Sequence, residues 1–515
     1  MMRSAFYFGL VIVASQVSGC STIDFDYPRI ESVTIEDTAT TRLGTHVARL
    51  SPEKTEGLSG FYPLNDGIEA LSTRLLLAER AEVSIDTQYY LVKKDNASLV
   101  FVHALLRAAD RGVRVRLLLD DMFTKGGDAG MAALDSHPNF EIRVFNPFRR
   151  GFGGRVWSGL TDFGRVNRRM HTKSFTVDNQ VTVVGGRNIA DEYFGARADA
   201  RFGDLDVIGI GPIADDVSRM FDSFWNHETA LPVAAFYKAS DDPAAELDKL
   251  RERLHEAAEK VRTTRYAAAV EETVLRFIDR SEVAIEWSPY ELVYDSPDKG
   301  IRSREGPSNS IVEPLVEALQ SAQEEVIVVS PYFVPLKTGI RFFSELEARG
   351  VDVTIVTNSL AANNQVTVHG GYAPSRKPLL RNGVRIYEVR PDAEVSGSEI
   401  VAASGAKSTL HTKAFFVDGK KTFIGSFNFD PRSANLNTES GVMIESEAMT
   451  RIFAQAIADN ADDKAYELFL DEDDRLRWRT FEGGEETIYV IEPESTWLQR
   501  FVAGLIQILP VKSQL

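Results

Sequence analysis

Two stretches of this chain repeat one rhythm of apolar and polar positions. From Gly67 the apolar residues fall at helical spacing over Ile68 to Ala81, then bunch into a strand-length run over Val83 to Tyr90. A second helix over Ser98 to Arg111 and a second strand over Val113 to Leu119 follow, with Gly112 placed to end the helix. The same order returns as Ser310 to Glu324, Val326 to Tyr332, Gly339 to Ala348 and Val351 to Thr357. Helices alternating with short buried strands predict an α/β protein of two duplicated halves, 64–240 and 310–490. Ahead of them, 21–63 shows no periodicity and reads as a tether and lead-in. Between them, 241–309 reads as a charged helical connector, Pro243 to Ile278, and a turn-rich linker, Asp295 to Asn309. The last segment, 491–515, places Trp497, Leu498, Phe501, Val502, Leu505, Ile506 and Leu509 at helical spacing, with Ser495 as cap and Pro510 as stop. Such a helix suits either a bilayer interface or packing onto the domain.

The repeat is sharpest at His171-Thr-Lys-Ser-Phe-Thr-Val-Asp178 and His411-Thr-Lys-Ala-Phe-Phe-Val-Asp418. Aligned without a gap from His171 to Asn188 and from His411 to Asn428, nine of eighteen positions are identical. In extended backbone, side chains two apart share a face, so His171 with Lys173, and His411 with Lys413, point the same way. Asp178-Asn179 and Asp418-Gly419 then suit a tight hairpin whose return strand brings Asn188 or Asn428 toward the His and Lys. At the turn, Asp178 and Asp418 fit a structural role, side chain to backbone, better than direct chemistry. Small residues, Gly185-Gly186 and Gly425-Ser426, let backbone approach a ligand, and Ser426 adds a potential donor. Two such half-sites face to face supply a nucleophile, an acid and several donors around one tetrahedral anion. Lysine stands where a metal site would need His, Cys or a carboxylate, so neither metal nor other cofactor is expected.

The doubled H-x-K-x4-D-x6-G-[GS]-x-N pattern resembles the phospholipase D superfamily. Gly185 to Phe194, Thr357 to Asn363 with His369 to Tyr372, and Gly425 to Ser433 are similar to its bacterial cardiolipin synthase branch, nearest the third type. The resemblance implies two phospholipase D-type α/β/α halves, each with a central mixed sheet, and an active site at their interface. It implies catalytic roles for His171, Lys173, Asn188, His411, Lys413 and Asn428, with His171 as nucleophile and His411 as acid and base. In the superfamily a carboxylate downstream of each motif holds the histidine, which here matches Glu439. In the first half, setting Val207-Ile208 beside Val442-Met443 favours Asp204, with Asp206 left open. The implied reaction is phosphatidyl transfer through a phosphohistidine, from phosphatidylethanolamine to phosphatidylglycerol. The alternatives are phospholipid hydrolysis, an exported phosphodiesterase or nuclease, and a silent lipid-binding scaffold.

Composition refines this picture. A formal charge of −17 argues against a general nucleic-acid binder. Against that acidity, Arg149, Arg150, Arg155, Arg165, Arg168 and Arg169 face only Asp162 in the segment from Phe145 to Arg169, which suits an anionic substrate or membrane surface. Phe152 and Trp157 lie there to meet acyl chains. The apolar run from Ala5 to Val17 is too short for a bilayer span and suits a signal peptide within 1–20. Val17-Ser-Gly-Cys20 resembles a bacterial lipobox, and Cys20 is the single cysteine. That implies a lipidated Cys20 and a membrane-anchored lipoprotein on the periplasmic face of the envelope, with Ser21 fitting outer-membrane sorting.

Overall fold

The structure, a computed structural model, describes residues 23–53, 56–124, 126–151, 153–196, 200–262, 285–301, 310–393, 407–482, 484–509 and 514. The signal-peptide and lipobox expectations, Cys20 included, and Phe152 lie outside the described residues.

Each half is built on a mixed sheet. The first runs, in spatial order, Glu286–Ser288, Ser59–Leu64, Asp206–Ile210, Val181–Gly185, Ser174–Val177, Ser84–Tyr89, Arg114–Asp120, Phe140–Phe145 and Ala230–Pro232. The second runs Tyr290–Tyr294, Ser440–Glu445, Lys421–Gly425, Ala414–Val417, Glu325–Val329, Asp352–Asn358, Arg385–Val389, Ala465–Leu470, Leu476–Glu482 and Glu485–Tyr489. Ser84–Tyr89, Arg114–Asp120 and Phe140–Phe145 are parallel, as are Glu325–Val329, Asp352–Asn358 and Arg385–Val389. Helices cross between them, so the strands are buried on both faces and read as continuous apolar runs rather than alternating ones. The motif hairpin joins each parallel trio antiparallel, Ser174–Val177 on Ser84–Tyr89 and Ala414–Val417 on Glu325–Val329. Its turn takes positive φ at Asp178 and Asn179, and at Asp418 and Gly419, the geometry a two-residue hairpin requires.

Each half has its own core, and a third apolar cluster belongs to both. It joins Phe61, Leu118, Val184 and Val207 to Ile327, Phe416, Ile424 and Val442, so the halves meet through buried hydrophobic surface.

Three expectations need correction. The segment 23–63 is not a free tether. Arg116, Arg114 and Arg143 donate to the carbonyls of Ser32, Val33 and Ile30, Thr41 caps a helix at Arg42–Leu50, and Ser59–Leu64 is a sheet strand. Its lack of periodicity reflects a strap whose carbonyls satisfy buried guanidinium groups. The connector 241–309 likewise contains two strands either side of Pro289, Glu286–Ser288 on the first sheet and Tyr290–Tyr294 on the second, too short to stand out by pattern. The C-terminal helix, Trp497–Ile508, is capped by Thr496 in a capping box with Gln499, whereas Ser495 bonds to the Glu492 carbonyl. No helix among the described residues is long and apolar enough to cross a membrane.

Candidate active site

The two histidines sit in short extended segments just before the motif strands, not within them. Each segment is stitched to the other half. Met170 bridges Thr438, and the His171 N–H donates to the Thr438 carbonyl at 2.9 Å. Lys407–Leu410 pairs in parallel with Ala200–Gly203, and the His411 N–H donates to the Gly203 carbonyl at 2.7 Å. The stitching sets a carboxylate from the opposite half on each imidazole: Glu439 Oε2 lies 2.7 Å from His171 Nδ1, and Asp204 Oδ2 lies 2.6 Å from His411 Nδ1. All four side chains are buried. A carboxylate on Nδ1 holds the proton there and leaves the Nε2 lone pair for the ligand side.

Burial lowers the His171 pKa to about 4, against the pull of Glu439, and with Lys413 and Lys173 both adding repulsion. For His411 burial, then Lys413 beside the ring, lowers it to about 3. Lys413 Nζ lies 2.7 Å from His411 Nδ1. Burial also brings Lys173 down to about 7 and Lys413 to about 8, despite the neighbouring carboxylates. Burial pushes Asp204 and Glu439 up, but the lysines and histidines outweigh it and hold both below the usual carboxylate range. Neutral imidazoles therefore lie among ionised carboxylates and easily deprotonated lysines.

The asparagines are exchanged in the same sense. Asn188 Nδ2 donates to Tyr193 Oη at 3.0 Å, and that hydroxyl lies 3.5 Å from His411 Nε2. The Asn428 N–H donates to Ser433 Oγ, which donates to Glu439 Oε1 at 2.8 Å. Asn188 Oδ1 and Asn428 Oδ1 are buried with no protein partner. Tyr193 and Ser433 each lie five residues beyond the motif Asn, a shared offset that the sequence displays but motif reading passes over.

Ser426 does not serve as a free donor, because its hydroxyl donates to Glu439 Oε2. Its counterpart Gly186 has no room for a side chain: a Cβ there would lie 2.2 Å from Asp204 Oδ1. Asp206, the open alternative to Asp204, is committed elsewhere, with Arg74 at 2.8 Å and Arg187 at 3.4 Å. Asp178 and Asp418 lie away from the histidines. Each accepts three consecutive backbone N–H groups, from Glu82, Val83 and Ser84, and from Gln323, Glu324 and Glu325, at the start of the neighbouring parallel strand rather than within their own hairpin.

The sequence passed over two further positioning groups at matching strand ends. Asp120 accepts the Met170 N–H at 2.8 Å, and Asn358 Oδ1 accepts the Leu410 N–H at 2.9 Å. Each fixes the residue before a histidine. The arginine run at 149–169 is mostly spent inside the protein, not open to an anion. Arg150 pairs with Asp121 and Asp128, Arg155 with Asp121, Arg165 with Asp162, and Arg169 with Asp120, while Arg168 donates to the Lys299 and Asn435 carbonyls. Carboxylates buried at the strand ends need those cations.

The family model described as "Cardiolipin synthase, PLD-like domain" matches residues 76–225 and 315–460, one match on each half-site. The chain belongs to this cardiolipin synthase branch of the phospholipase D superfamily. Cardiolipin synthase C of Escherichia coli (strain K12) is 40% identical over 461 residues, 88% of this chain and 96% of that one. An uncharacterized protein of Helicobacter pylori (strain ATCC 700392 / 26695) is 31% identical over 496 residues, 96% of this chain and 97% of its own. In fold, this cardiolipin synthase-branch enzyme is similar to the crystal structure of phosphatidylserine synthase from Haemophilus influenzae Rd KW20. The TM-score is 0.56 at 13% identity, over 92% of this chain and 99% of that one.

Proposed function

We propose that the enzyme transfers a phosphatidyl group from one phospholipid to another through a phosphohistidine on His171. The observation that carries this is the exchange between halves: each motif histidine is held at Nδ1 by the other half's carboxylate, which leaves two Nε2 atoms for one shared ligand.

His171 Nε2 has no hydrogen-bond partner among the described residues, whereas His411 Nε2 faces the Tyr193 hydroxyl, which favours His171 as nucleophile. A bound phosphodiester brings one negative charge against the two lysine charges and so favours the imidazolium, and His411 takes up a proton as substrate binds. In the first step His171 Nε2 bonds to phosphorus, the bond from phosphorus to the headgroup oxygen breaks, and His411 gives that oxygen its proton. In the second step His411 takes the proton from the acceptor hydroxyl, whose oxygen bonds to phosphorus as the bond to His171 breaks. Lys173, Lys413, Asn188 and Asn428 hold the phosphoryl oxygens as charge develops. With phosphatidylethanolamine as donor and phosphatidylglycerol as acceptor, the products are cardiolipin and ethanolamine. With water as acceptor, the product is phosphatidic acid. No step routes through a metal. Lipidation at Cys20 would place this chemistry at a membrane of the cell envelope.

The test is mass spectrometry of lipids after purified protein acts on mixed phosphatidylethanolamine and phosphatidylglycerol vesicles, with His411→Asn as control. Cardiolipin made by the unmodified protein alone is the expected result. Phosphatidic acid without cardiolipin makes the enzyme a hydrolase, and no lipid product overturns the reading.

A further inference from the structure

Three helices, two in the first half and one at the C-terminal end, expose large apolar side chains that no other described residue covers. In Gly154–Thr161 and the short Phe163–Val166 helix after it, Trp157 is 46% exposed, Leu160 75% and Phe163 56%. In Trp497–Ile508, Trp497 is 71% exposed, Phe501 62% and Ile508 79%. Single exposed apolar residues are ordinary, but clusters of this kind on helices are not.

Both clusters reach a histidine by the same route. In the first half, Tyr90 meets His171 edge-on at 4.9 Å and Phe123 meets Tyr90 at 5.3 Å. Arg155, from the exposed helix, donates to the carbonyls of Asp121 and Met122 beside Phe123, both at 2.8 Å. In the second half, Tyr332 meets His411 edge-on at 6.4 Å and donates to Asn364 Oδ1 at 2.8 Å. Gln499, from the C-terminal helix, donates to the Leu360 carbonyl in that loop. The helix packs so closely on Val366–Tyr372 that a Cβ at Gly370 would lie 2.7 Å from the Ala503 carbonyl oxygen. Beyond the clusters, Asn167 Nδ2 donates to Gln514 Oε1 at 2.9 Å, so the segments that follow the two clusters touch.

Charge says what kind of surface would cover them. The chain carries −17 overall, yet the three helices contain no Asp or Glu. Their charged residues are Arg155, Arg165 and Arg500, of which Arg155 is held by Asp121 and Arg165 by Asp162, the residue that joins the first two helices. Apolar helix faces bearing Trp, Phe and Leu, with no acid on the helices themselves in a chain of charge −17, have the composition that lies in the interface of a phospholipid bilayer without repelling an anionic one.

We infer that these helices form one docking face for the surface of an anionic phospholipid bilayer, seating the protein with its histidines toward the lipid. The inference rests on the reading of the site as acting on phospholipids. The face accounts for how a buried pair of histidines meets a substrate that stays in its membrane. The terminal helix packs on the domain by Ala503, one of the two expectations for that segment, and presents its other side outward, where the inference places the bilayer.

The test uses the full chain as Cys20→Ser, so that no lipid anchor contributes, in a His411→Asn background, so that binding is read apart from turnover. Flotation with vesicles of phosphatidylglycerol and phosphatidylethanolamine is compared with vesicles of phosphatidylcholine. The parent is expected to float with the anionic vesicles. The triple variants Trp157→Ser/Leu160→Ser/Phe163→Ser and Trp497→Ser/Phe501→Ser/Ile508→Ser are each expected to lower the bound fraction by about tenfold. Their melting temperatures stay near the parent's, because the replaced side chains are exposed. A parent that does not float, or variants that float as well as it does, overturns the inference. So does a dimer in solution that both variants dissociate, which would assign the face to a second copy. With His411 restored, the variants should act on monomeric short-chain phospholipids as the parent does and fail only on vesicles. Should the parent make no product from either substrate, the proposed function falls while the flotation result stands.

Discussion

Lys173 and Lys413 each carry a proton in a place nearly without water, and burial has brought their pKa values to about 7 and about 8. In the proposed mechanism the phosphoryl oxygens need those protons, whereas the two imidazoles, lowered to about 4 and about 3, are already in their basic form at neutral pH. The free enzyme therefore loses its useful form as pH rises through 7 to 8, not as pH falls toward 6. Because His411, basic in the free enzyme, must take up a proton as substrate binds, we expect kcat/KM to fall already between about pH 5 and 6.5 and to fall more steeply above 7, with the steepening starting later in a variant that keeps a fixed charge, Lys173→Arg. A profile that instead rose from pH 6 to 8 would show an imidazole of ordinary pKa controlling the rate. The same burial makes the histidines a liability in acid. Their folded pKa values lie below the unfolded value near 6.5, so between 6.5 and 4 the unfolded chain binds more protons and their contribution falls with pH. His171→Asn removes that term, so the stability gap between this variant and the parent should narrow as pH falls through that window, as read by urea unfolding.

Within each motif segment, small residues decide which carboxylate goes where. Asp204 and Asp206 are two apart on one chain, and only the first reaches a histidine. Asp204→Asn should lower kcat by roughly 10³ to 10⁴-fold with little change in melting temperature, because it misdirects the His411 proton. Asp206→Asn, which strands two buried guanidinium groups, should cost roughly 3–5 kcal/mol in unfolding assays. Gly186→Ala should be worse for activity than for stability. The overpacking costs about 1–3 kcal/mol, while the displaced atom is the carboxylate that holds His411. Much at this scale was legible from the chain. The gapless repeat gave the hairpin, its turn and the positions of His, Lys and Asn, and the alignment favoured Asp204. What the chain did not display was whose histidine each carboxylate serves. The contacts join residues 268 and 207 positions apart, and local pattern carries no information across such distances. Ser426 misled because a hydroxyl beside a phosphate site is an attractive donor, and only the fold shows Glu439 taking it. The arginine run misled because its partners, Asp120, Asp121 and Asp128, are adjacent only once the sheet has formed.

The exchanged carboxylates make the two halves interdependent. A protein of independent lobes would keep a working half-site when divided, but here each lobe carries one histidine and the group that orients the other. Either half expressed alone should therefore lack transfer activity and expose the apolar surface that joins Phe61, Val184 and Val207 to Phe416, Ile424 and Val442. Co-expression of the two halves should recover activity together with their co-purification. Activity in a lone half would mean that its histidine had found another carboxylate.

The crossing also bears on the order in which the chain is made. A ribosome completes His171 long before it reaches Glu439, so every chain stopped before residue 439 has an unheld, mis-set imidazole at the proposed nucleophile. For an enzyme that modifies phospholipids, that delay acts as a safety catch: the paired site is armed only by the last third of its own sequence.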